Sequence, residues 1–302
     1  MNVSLTIALV TMNRSVQVIN ALKSCMECEL PVDTEFVVID NASSDNTKFA
    51  VNEFLSSSGY RFQYIYLEEN IGAGAGRNKY FEVANGKYIY GMDDDAVIDT
   101  DRNKDFFIKA ITIMESNDSI AALATQIFDE AWGKNRQQYD EKNKIADGLY
   151  LTKMFCGGSH FLRKAYFDRS PYFPNKYGYE EMPPSLHAYN ENKCVVICPN
   201  LMVIHKPKVD KWDYSIGKNE KYIIIECAIP YAIKIMMYPR LIRPICYCAF
   251  LYRIKKHLRN IEKGRERCDE LVKDTLKNYP ITEHISWHTF IKLLKRFGLS
   301  IF

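Results

Sequence analysis

The chain has 302 residues, of which 47% are hydrophobic and 25% are charged, a composition that suits a folded globular protein and excludes a disordered or collagen-like one. Its formal net charge of +3 is too small to indicate nucleic-acid binding. The charge is uneven, because residues 251–302 carry 12 Lys/Arg and 6 Asp/Glu, and such a basic tail suits a surface that meets phosphate or anionic lipid.

The cysteines and the apolar segments bear on where the protein works. Nine cysteines and a start without the basic region of a secretory signal favour reduced thiols and a cytoplasmic protein. Cys25 and Cys28 have the spacing of half a zinc site, but no second half accompanies them, so we set zinc aside. No stretch of about 20 apolar residues predicts a membrane span. The apolar region 222–252, broken by charges and prolines, fits either an element lying in the membrane interface or short helices packed on the body.

The first hundred residues alternate between strand-like and helical segments. Strands are predicted at 3–10, 35–39, 61–66 and 87–92. Helices are predicted between them at about 16–27, 46–55 and 73–84. This repetition predicts an α/β fold with a mostly parallel sheet and helices on both faces. Ligands of such sheets bind beyond the carboxyl ends of the strands, which is where the polar clusters of this chain stand.

Residues after 100 are less regular. The elements predicted there are a helix, a strand, a polar loop, a glycine-containing strand, two short strands and a charged helix, at 106–116, 121–128, 132–147, 154–162, 195–198, 201–204 and 258–276. Glycines inside a strand, here Gly157 and Gly158, often mark a bend or the close approach of the backbone to a ligand.

Three consecutive aspartates follow the fourth strand. Side chains alternate along an extended segment, so Asp93 and Asp95 are predicted to point to the same side. Two carboxylates in a crevice suit a hard divalent cation such as Mg²⁺, which completes its shell with waters and substrate phosphates. The alternative is a solvated acidic turn, which is disfavoured because three repelling carboxylates directly follow an apolar strand. His205, at the end of a later strand, is a candidate third ligand.

Polar segments also follow the second and third strands. Residues 40–47 fit either a turn that caps the next helix or a site where Asp40 accepts a hydrogen bond from the imide of uracil or thymine. Residues 70–78 place small residues and Arg77 at a helix start, where backbone N–H groups and a guanidinium can bind phosphate. A dinucleotide fold would also explain the glycines. Its fingerprint belongs in the first strand-to-helix turn, however, which here contains no glycine.

Two adjacent acids, Glu180 and Glu181, stand among aromatic residues in the segment that begins at Tyr177. A partly desolvated carboxylate there would have a raised pKa and could serve as a general base. The alternative is a capped, solvated helix start. The residues alone leave both interpretations open.

These motifs occur in an order that resembles a known family. The chain contains Thr-x-Asn-Arg, Val-Ile-Asp-Asn-x-Ser-x-Asp, Asn-x-Gly-x-Gly-x-Gly-Arg-Asn, Asp-Asp-Asp, Gly-Gly-Ser, Tyr-Glu-Glu and a late His. The set resembles the family 2 glycosyltransferases with the GT-A fold, and among them the bacterial enzymes that build rhamnan, O-antigen and capsular polysaccharides. The resemblance covers about residues 3–207 and, more loosely, the tail. It implies a Rossmann-like, mostly parallel sheet with helices on both faces and a C-terminal helical extension.

The resemblance also implies a division of the chain. Residues 1–215 would form the glycosyltransferase domain, with a nucleotide-binding half at 1–100 and an acceptor half at 101–215. Residues 216–302 would form a basic helical extension that is a candidate for membrane association.

The family pattern implies roles for single residues. The positions that would contact the nucleotide sugar are Thr11, Asn13, Arg14, Asp40, Asn41, Asn70, Arg77, Asp93 and Asp94. The aspartates Asp93 and Asp95 would hold Mg²⁺ or Mn²⁺ on the diphosphate, with His205 as a further ligand.

The remaining roles concern the acceptor. Glu181 matches the acid that serves as the family's general base, usually Asp in a Glu-Asp pair, so Glu180 stays a rival. Weaker candidates for the acceptor site are Trp132, Gly157 and Gly158. The implied reaction moves a sugar, with inversion, from a UDP- or dTDP-sugar to a saccharide or lipid-linked saccharide in cell-surface polysaccharide synthesis.

Two other classes of protein stay open. One is a catalytically silent sugar-nucleotide-binding or scaffold protein. The other is a sugar nucleotidyltransferase, which usually has a Gly-rich, Arg/Lys-bearing loop directly after the first strand, where this chain has Thr-Met-Asn-Arg. The expected partners are the donor, the acceptor, an anionic membrane surface at the inner face of the plasma membrane and a second copy of the chain. Nucleic acid is not expected.

Overall fold

The computed structural model describes residues 3–176, 178–207 and 220–302. The strands in these ranges are β1 (Leu5–Thr11), β2 (Thr34–Asp40), β3 (Arg61–Tyr66), β4 (Tyr88–Asp93), β5 (Ala96–Ile98), β6 (Ile120–Asp129), β7 (Lys134–Asn135), β8 (Lys144–Ala146), β9 (Leu149–Leu151), β10 (Ser159–Arg163) and β11 (Cys194–His205). They form one mixed sheet in the order β3-β2-β1-β4-β10-β6-β11-β9-β8, with β5 paired to β11 and β7 paired to β6.

The sheet is parallel where the chain alternates strand and helix. β3, β2, β1 and β4 pair in parallel, because a helix returns the chain after each of the first three strands. β10 then runs antiparallel to both β4 and β6, and β6 runs parallel to β11. The predicted α/β fold with a mostly parallel sheet core is confirmed.

The helices cover both faces of this sheet. They are α1 (Ser15–Met26), α2 (Thr47–Ser57), α3 (Ala73–Val83), α4 (Phe106–Ser116), α5 (Met182–Asn190), α6 (Glu220–Met237), α7 (Arg243–His257), α8 (Gly264–Asn278) and α9 (Trp287–Phe297). Helices α1, α2 and α4 pack on one face, where Leu5, Ile7 and Leu9 of β1 point. Helices α3, α5, α6 and α9 pack on the other face, which takes Ala8. The alternation of side chains along β1 therefore divides the core into two layers.

Four predicted regions differ from the structure. The glycine-containing strand begins only at Ser159, because residues 157–158 form a turn. The two short strands at 195–204 are one strand, β11, which accommodates its Pro-Asn pair as an irregularity between Cys198 and Met202. The charged helix begins at Gly264 rather than at Leu258, since Lys263 has a left-handed backbone with φ of +50°. The predicted loop at 132–147 also contains β7 and β8.

The C-terminal helices pack closely on the sheet layers. Phe290 and Leu293 of α9 lie in the same hydrophobic cluster as Ile233 of α6 and Ala122 of β6. Helices α6, α7 and α8 share a further cluster of their own. The predicted boundary near residue 215 lies outside the described residues. Among the helices that are described, none is both long and apolar enough to cross a membrane.

Candidate active site

The candidate site lies at the carboxyl ends of β1 and β4, which are neighbours in the sheet. Val10 pairs with Asp93 in the parallel register, so the aspartates lie beside the polar turn that follows β1. Asp94 accepts hydrogen bonds from the Thr11 hydroxyl at 2.7 Å and from the Arg14 guanidinium at 2.6 Å. Two of the polar clusters recognised in the sequence therefore meet.

Arg14 joins the second and third aspartates. Its Nη1 lies 2.6 Å from Asp94 Oδ1 and 2.6 Å from Asp95 Oδ2. Burial and the neighbouring Asp95 raise the pKa of Asp94 to about 6, although Arg14 acts against the rise. Both carboxyl groups are buried, so this cluster differs from a solvated acidic turn.

Asp93, Asp95 and His205 could hold a metal ion. One ligand atom from each residue lies within 4.8 Å of the other two, and His205 Nε2 is 3.2 Å from Asp95 Oδ1. Carboxylate oxygens are the ligands that Mg²⁺ and Mn²⁺ prefer, so the residues present fit such a cation. In the described ranges no other group of three His, Cys, Asp or Glu residues has this geometry.

A second carboxylate orients the imidazole of His205. Asp129 lies directly opposite His205 in the β6–β11 register, and its Oδ1 is 2.8 Å from His205 Nδ1. Arg136 holds the same carboxylate, with Nε at 3.1 Å and Nη2 at 2.6 Å. A carboxylate at Nδ1 favours the tautomer whose Nε2 is free to bind a cation.

The same contacts set the charge of the imidazole in the absence of metal. Burial lowers the pKa of His205, but the nearby carboxylates of Asp129 and Asp95 outweigh it and raise the pKa to about 9. Burial also opposes ionisation of Asp129, yet the proximity of His205 and the hydrogen bonds from Arg136 hold its pKa at about 2. A cation at this site would therefore displace a proton from His205.

Arg77 connects the aspartates to the acidic pair. From α3, its buried side chain places Nη2 2.7 Å from Asp93 Oδ1 and Nε 3.3 Å from Glu180 Oε1. Helix α3 comes this close because of its small residues, since a Cβ at Gly74 would lie 1.9 Å from the Phe173 carbonyl oxygen. Close packing thus accounts for this glycine. The predicted contact between Arg77 and a diphosphate stays a prediction.

Glu181 has a different environment from Glu180. Its Oε1 accepts a hydrogen bond from the Gly157 N–H at 3.3 Å, and its buried Oε2 has no hydrogen-bond partner among the described residues. Burial and the adjacent Glu180 raise the pKa of Glu181 to about 8. Glu181 therefore has the properties expected of a general base. Tyr177, at the start of this motif, lies outside the described residues.

The Gly157–Gly158 turn separates the two acidic groups. A Cβ at Gly157 would lie 2.9 Å from Glu180 Oε1, and one at Gly158 would lie 2.8 Å from Asp93 Oδ2. The Gly158 carbonyl also accepts a hydrogen bond from the Asp93 N–H at 3.0 Å. These glycines border the site, and contact with an acceptor stays a prediction.

The predicted base-binding residues form a network of their own. Asp40 is fully buried, and its carboxylate accepts hydrogen bonds from the Ser43 N–H, at 2.7 Å, and from the Tyr64 hydroxyl. Asn13 Oδ1 accepts from the Ser44 N–H at 2.8 Å. Both oxygens of Asp40 already have partners, so a nucleobase would have to share or replace one. Its role stays a prediction.

Asn41 and Asn70 link the loops after β2 and β3. The Asn41 Nδ2 donates to Asn70 Oδ1 at 2.9 Å, and the Ile71 N–H donates to Asn41 Oδ1 at 2.9 Å. The pair thus fixes the start of α3 beside the loop after β2. Binding of the nucleotide sugar by either residue is untested.

The predicted acceptor contact of Trp132 stays a prediction, and two side chains beside His205 were not predicted. Trp132, in the short helix Glu130–Trp132, is 42% exposed, and Lys134 Nζ lies 5.7 Å from its ring centre. Asp129 and Arg136 were missed. Asp129 ends a predicted strand next to the strand that carries His205, which was an available signal, whereas nothing in the sequence distinguished Arg136.

Comparison with known proteins identifies the family. Residues 6–170 match the family described as "Glycosyl transferase family 2". This match covers more than half of the chain, so the chain belongs to glycosyltransferase family 2, as the sequence resemblance implied.

One relative and two solved structures illustrate the match. An 89-residue segment is 34% identical to the poly-β-1,6-N-acetyl-D-glucosamine synthase of Staphylococcus epidermidis, over 30% of this chain and 21% of that protein. The chain spans a quarter or less of the first curated relatives it matches. The fold is similar to that of S. aureus TarS in complex with UDP-GlcNAc, with a TM-score of 0.64, 16% identity and coverage of 92% of this chain and 82% of that one.

The second structure is the mannosyltransferase PcManGT from Pyrobaculum calidifontis in complex with GDP-Man and Mn²⁺. It gives a TM-score of 0.62 at 16% identity, over 99% of this chain and 80% of that chain. At these identities the likeness concerns the fold alone. It confirms the GT-A fold that the sequence resemblance implied.

Proposed function

We propose that this chain is an inverting glycosyltransferase that moves a sugar from a UDP- or dTDP-sugar to a saccharide or lipid-linked saccharide in cell-surface polysaccharide synthesis. The observation that carries the proposal is a pair of carboxylate environments joined by Arg77. Asp93, Asp95 and His205 could hold a cation, and Glu181 stands apart with an oxygen that has no hydrogen-bond partner among the described residues. The similar proteins, which include a polysaccharide synthase and complexes with UDP-GlcNAc and GDP-Man, support it.

Mg²⁺ or Mn²⁺, held by Asp93, Asp95 and His205, would neutralise the negative charge that develops on the leaving nucleoside diphosphate. Mn²⁺ in the related PcManGT complex supports this assignment. Arg14 and Arg77 hold the aspartates in place through contacts of 2.6–2.7 Å.

Glu181 carries out the proton transfer. Its Oε2 would take the proton of an acceptor hydroxyl while that oxygen attacks the anomeric carbon from the side opposite the leaving diphosphate, so the configuration inverts. Glu180, which is bound to Arg77 at 3.3 Å, is the weaker candidate because this contact holds its carboxylate. We place the enzyme at the inner face of the plasma membrane, where a lipid-linked acceptor would be found.

The test is to measure release of UDP or dTDP from a panel of nucleoside-diphosphate sugars, with and without Mn²⁺ and saccharide acceptors. We expect release that requires the cation and rises when an acceptor is present. Tight donor binding without release, over the whole panel, would instead support a catalytically silent binding protein. Pyrophosphate release from a nucleoside triphosphate would support a nucleotidyltransferase.

A further inference from the structure

The outer face of α7, together with the turn before it, is apolar and exposed among the residues that the structure describes. One stripe of α7 (Cys246, Phe250, Ile254) is buried against the helices beside it. The opposite stripe begins at Leu241, which is 78% exposed, and continues through Ile245 to Tyr252, which is 65% exposed. These three residues lie on one side of the helix because they are four and seven positions apart. We call the exposed residues Leu241, Ile245 and Tyr252 the α7 outer face.

The charge around this face has a single sign. Residues 238–261 contain six Lys/Arg and no Asp or Glu. Five of these basic residues are exposed and lie at the two ends of the outer face: Arg240, Arg243, Lys255, Lys256 and Arg259. Among the described residues none of these five has a carboxylate within ion-pair distance. The surface therefore combines exposed apolar side chains with uncompensated positive charge.

Helix stability does not account for all of these cations. Lysines near the end of a helix interact favourably with its dipole, which explains Lys255 and Lys256. Arg243 Nε donates a hydrogen bond to the Ile235 carbonyl in the last turn of α6 at 3.0 Å, which accounts for part of its charge. Arg240, just before α7, has no such contact among the described residues, and α7 has no acidic residue in its first turn, so positive charge is unfavourable there. An anionic ligand outside the protein would offset this cost.

We propose that the α7 outer face docks on an anionic lipid bilayer. Leu241, Ile245 and Tyr252 would enter the boundary between headgroups and acyl chains, and the arginines and lysines around them would contact lipid phosphates. A second copy of the chain is a poorer occupant, because a two-fold contact through this face would bring the same cations together. This inference names the surface for the membrane placement proposed above and does not depend on the glycosyl-transfer chemistry.

Helix α7 contacts α6, and α6 in turn lies beside the loop that carries Glu181. Phe250 of α7 stacks on Tyr231 of α6 with ring centres 4.2 Å apart. Ile225, on the same helix α6, lies beside Gly178 in the loop that carries Glu181. If the proposed function holds, docking through α7 would keep the general base near the surface that presents a lipid-linked acceptor.

Vesicle co-sedimentation tests the proposal without any activity assay. The purified chain is mixed with phosphatidylcholine vesicles, either pure or with about one third phosphatidylglycerol, at about 0.1 M and about 1 M salt, where the Debye length falls from about 10 Å to about 3 Å. We expect sedimentation with the anionic vesicles at low salt and at least tenfold weaker binding at high salt or to neutral vesicles.

Matched variants locate the contact. Leu241→Ser/Ile245→Ser/Tyr252→Ser should lose binding to anionic vesicles and keep the melting temperature of the native chain. Val32→Ser/Phe49→Ser, at exposed apolar positions on other elements, should bind like the native chain.

A charge pair gives the second comparison. Arg240→Gln/Arg243→Gln should weaken binding about 25-fold, since each cation near an anionic surface contributes about fivefold. Lys48→Gln/Lys79→Gln, with the same loss of charge elsewhere, should leave binding within about twofold of native.

Three results would overturn the proposal. They are a native chain that sediments equally with neutral vesicles or with none, an α7 triple variant that binds like the native chain, and a dimer in analytical ultracentrifugation that only the triple variant abolishes. Since nucleotide release plays no part in these measurements, their failure would leave the proposed function standing.

Discussion

The two adjacent glutamates of the candidate site occupy opposite electrostatic environments. Glu180 is bound by the Arg77 guanidinium at 3.3 Å, whereas Glu181 accepts a hydrogen bond from the Gly157 N–H at 3.3 Å, and burial raises its pKa to about 8. Neighbouring carboxyl groups with different surroundings usually have different tasks. The sequence left Glu180 and Glu181 as rivals, and their contacts favour Glu181 as the base and Glu180 as a positioning residue.

Glu181→Gln should lower kcat by about 10²–10⁴-fold and leave the affinity for the donor within about threefold. The native kcat/KM should rise with pH up to about 8, because only the ionised carboxylate accepts a proton. This rising limb should be absent from the residual activity of the variant. Steady-state rates from pH 6 to 9 check both statements. If kcat/KM of the variant still rose with pH as it does in the native chain, another group would be the general base.

Glu181→Gln should lower activity but raise the thermal stability of the chain as the pH rises. The folded pKa of Glu181, about 8, lies above its ordinary value of 4.5, so the folded state binds this proton more tightly than the unfolded state does. Stability from this group is complete below pH 4.5 and is lost as the pH rises to 8. Glu181→Gln should therefore gain thermal stability relative to the native chain between pH 5 and pH 8. A difference in melting temperature between the variant and the native chain that is the same at pH 5 and at pH 8 would contradict the burial argument.

Asp129 should act on cation affinity through His205. Asp129→Asn removes the charge that fixes the imidazole, so Mn²⁺ affinity of the purified chain should fall about 10–100-fold. Titration of Mn²⁺ followed by electron paramagnetic resonance measures this directly. The exposed Asp147→Asn, in the same segment, is the control and should bind like the native chain.

At the scale of elements, α3 shows why part of the site could be predicted and part could not. The strand-helix repetition predicted β1, β4 and α3 correctly, because hydrophobic periodicity is local. The packing role of Gly74 in α3 could not be predicted from local sequence, because Gly74 faces the carbonyl of Phe173, nearly a hundred residues away. The position of Arg136 could not be predicted for the same reason. Arg136 follows β7, which pairs with β6, whereas the sequence predicted only a loop there.

Gly74→Ala should destabilise the chain strongly. A methyl group 1.9 Å from the Phe173 carbonyl oxygen forces α3 away from Phe173, which should cost about 3 kcal/mol. Gly133→Ala, which meets no atom within 4 Å but has φ of +59°, isolates the cost of backbone strain, about 1 kcal/mol. Urea denaturation of both variants provides the comparison. Equal losses would contradict the packing argument.

At the scale of the whole molecule, the C-terminal helices belong to the core of the sheet. The sequence predicted a helical extension at 216–302, and this division stays a prediction. The contacts of Phe290 and Phe297 with the main cluster depend on long-range packing that no local pattern reveals. The helices and sheet should therefore unfold together.

Phe290→Ala should lower the free energy of unfolding of the whole chain by about 3–5 kcal/mol. Far-UV circular dichroism and tryptophan fluorescence should still report one coincident transition. Leu299→Ala, at a position that is 79% exposed, should have almost no effect. A separate early transition in the Phe290 variant would mean that the extension is an independent unit.

The most direct test of the catalytic account is calorimetric titration of UDP and dTDP into the native chain and into Asp95→Asn, each with and without Mn²⁺. The account predicts that Mn²⁺ strengthens nucleotide binding to the native chain by at least about tenfold and has no such effect on the variant. Equal affinities with and without Mn²⁺ in the native chain, or an undiminished Mn²⁺ effect in Asp95→Asn, would contradict it.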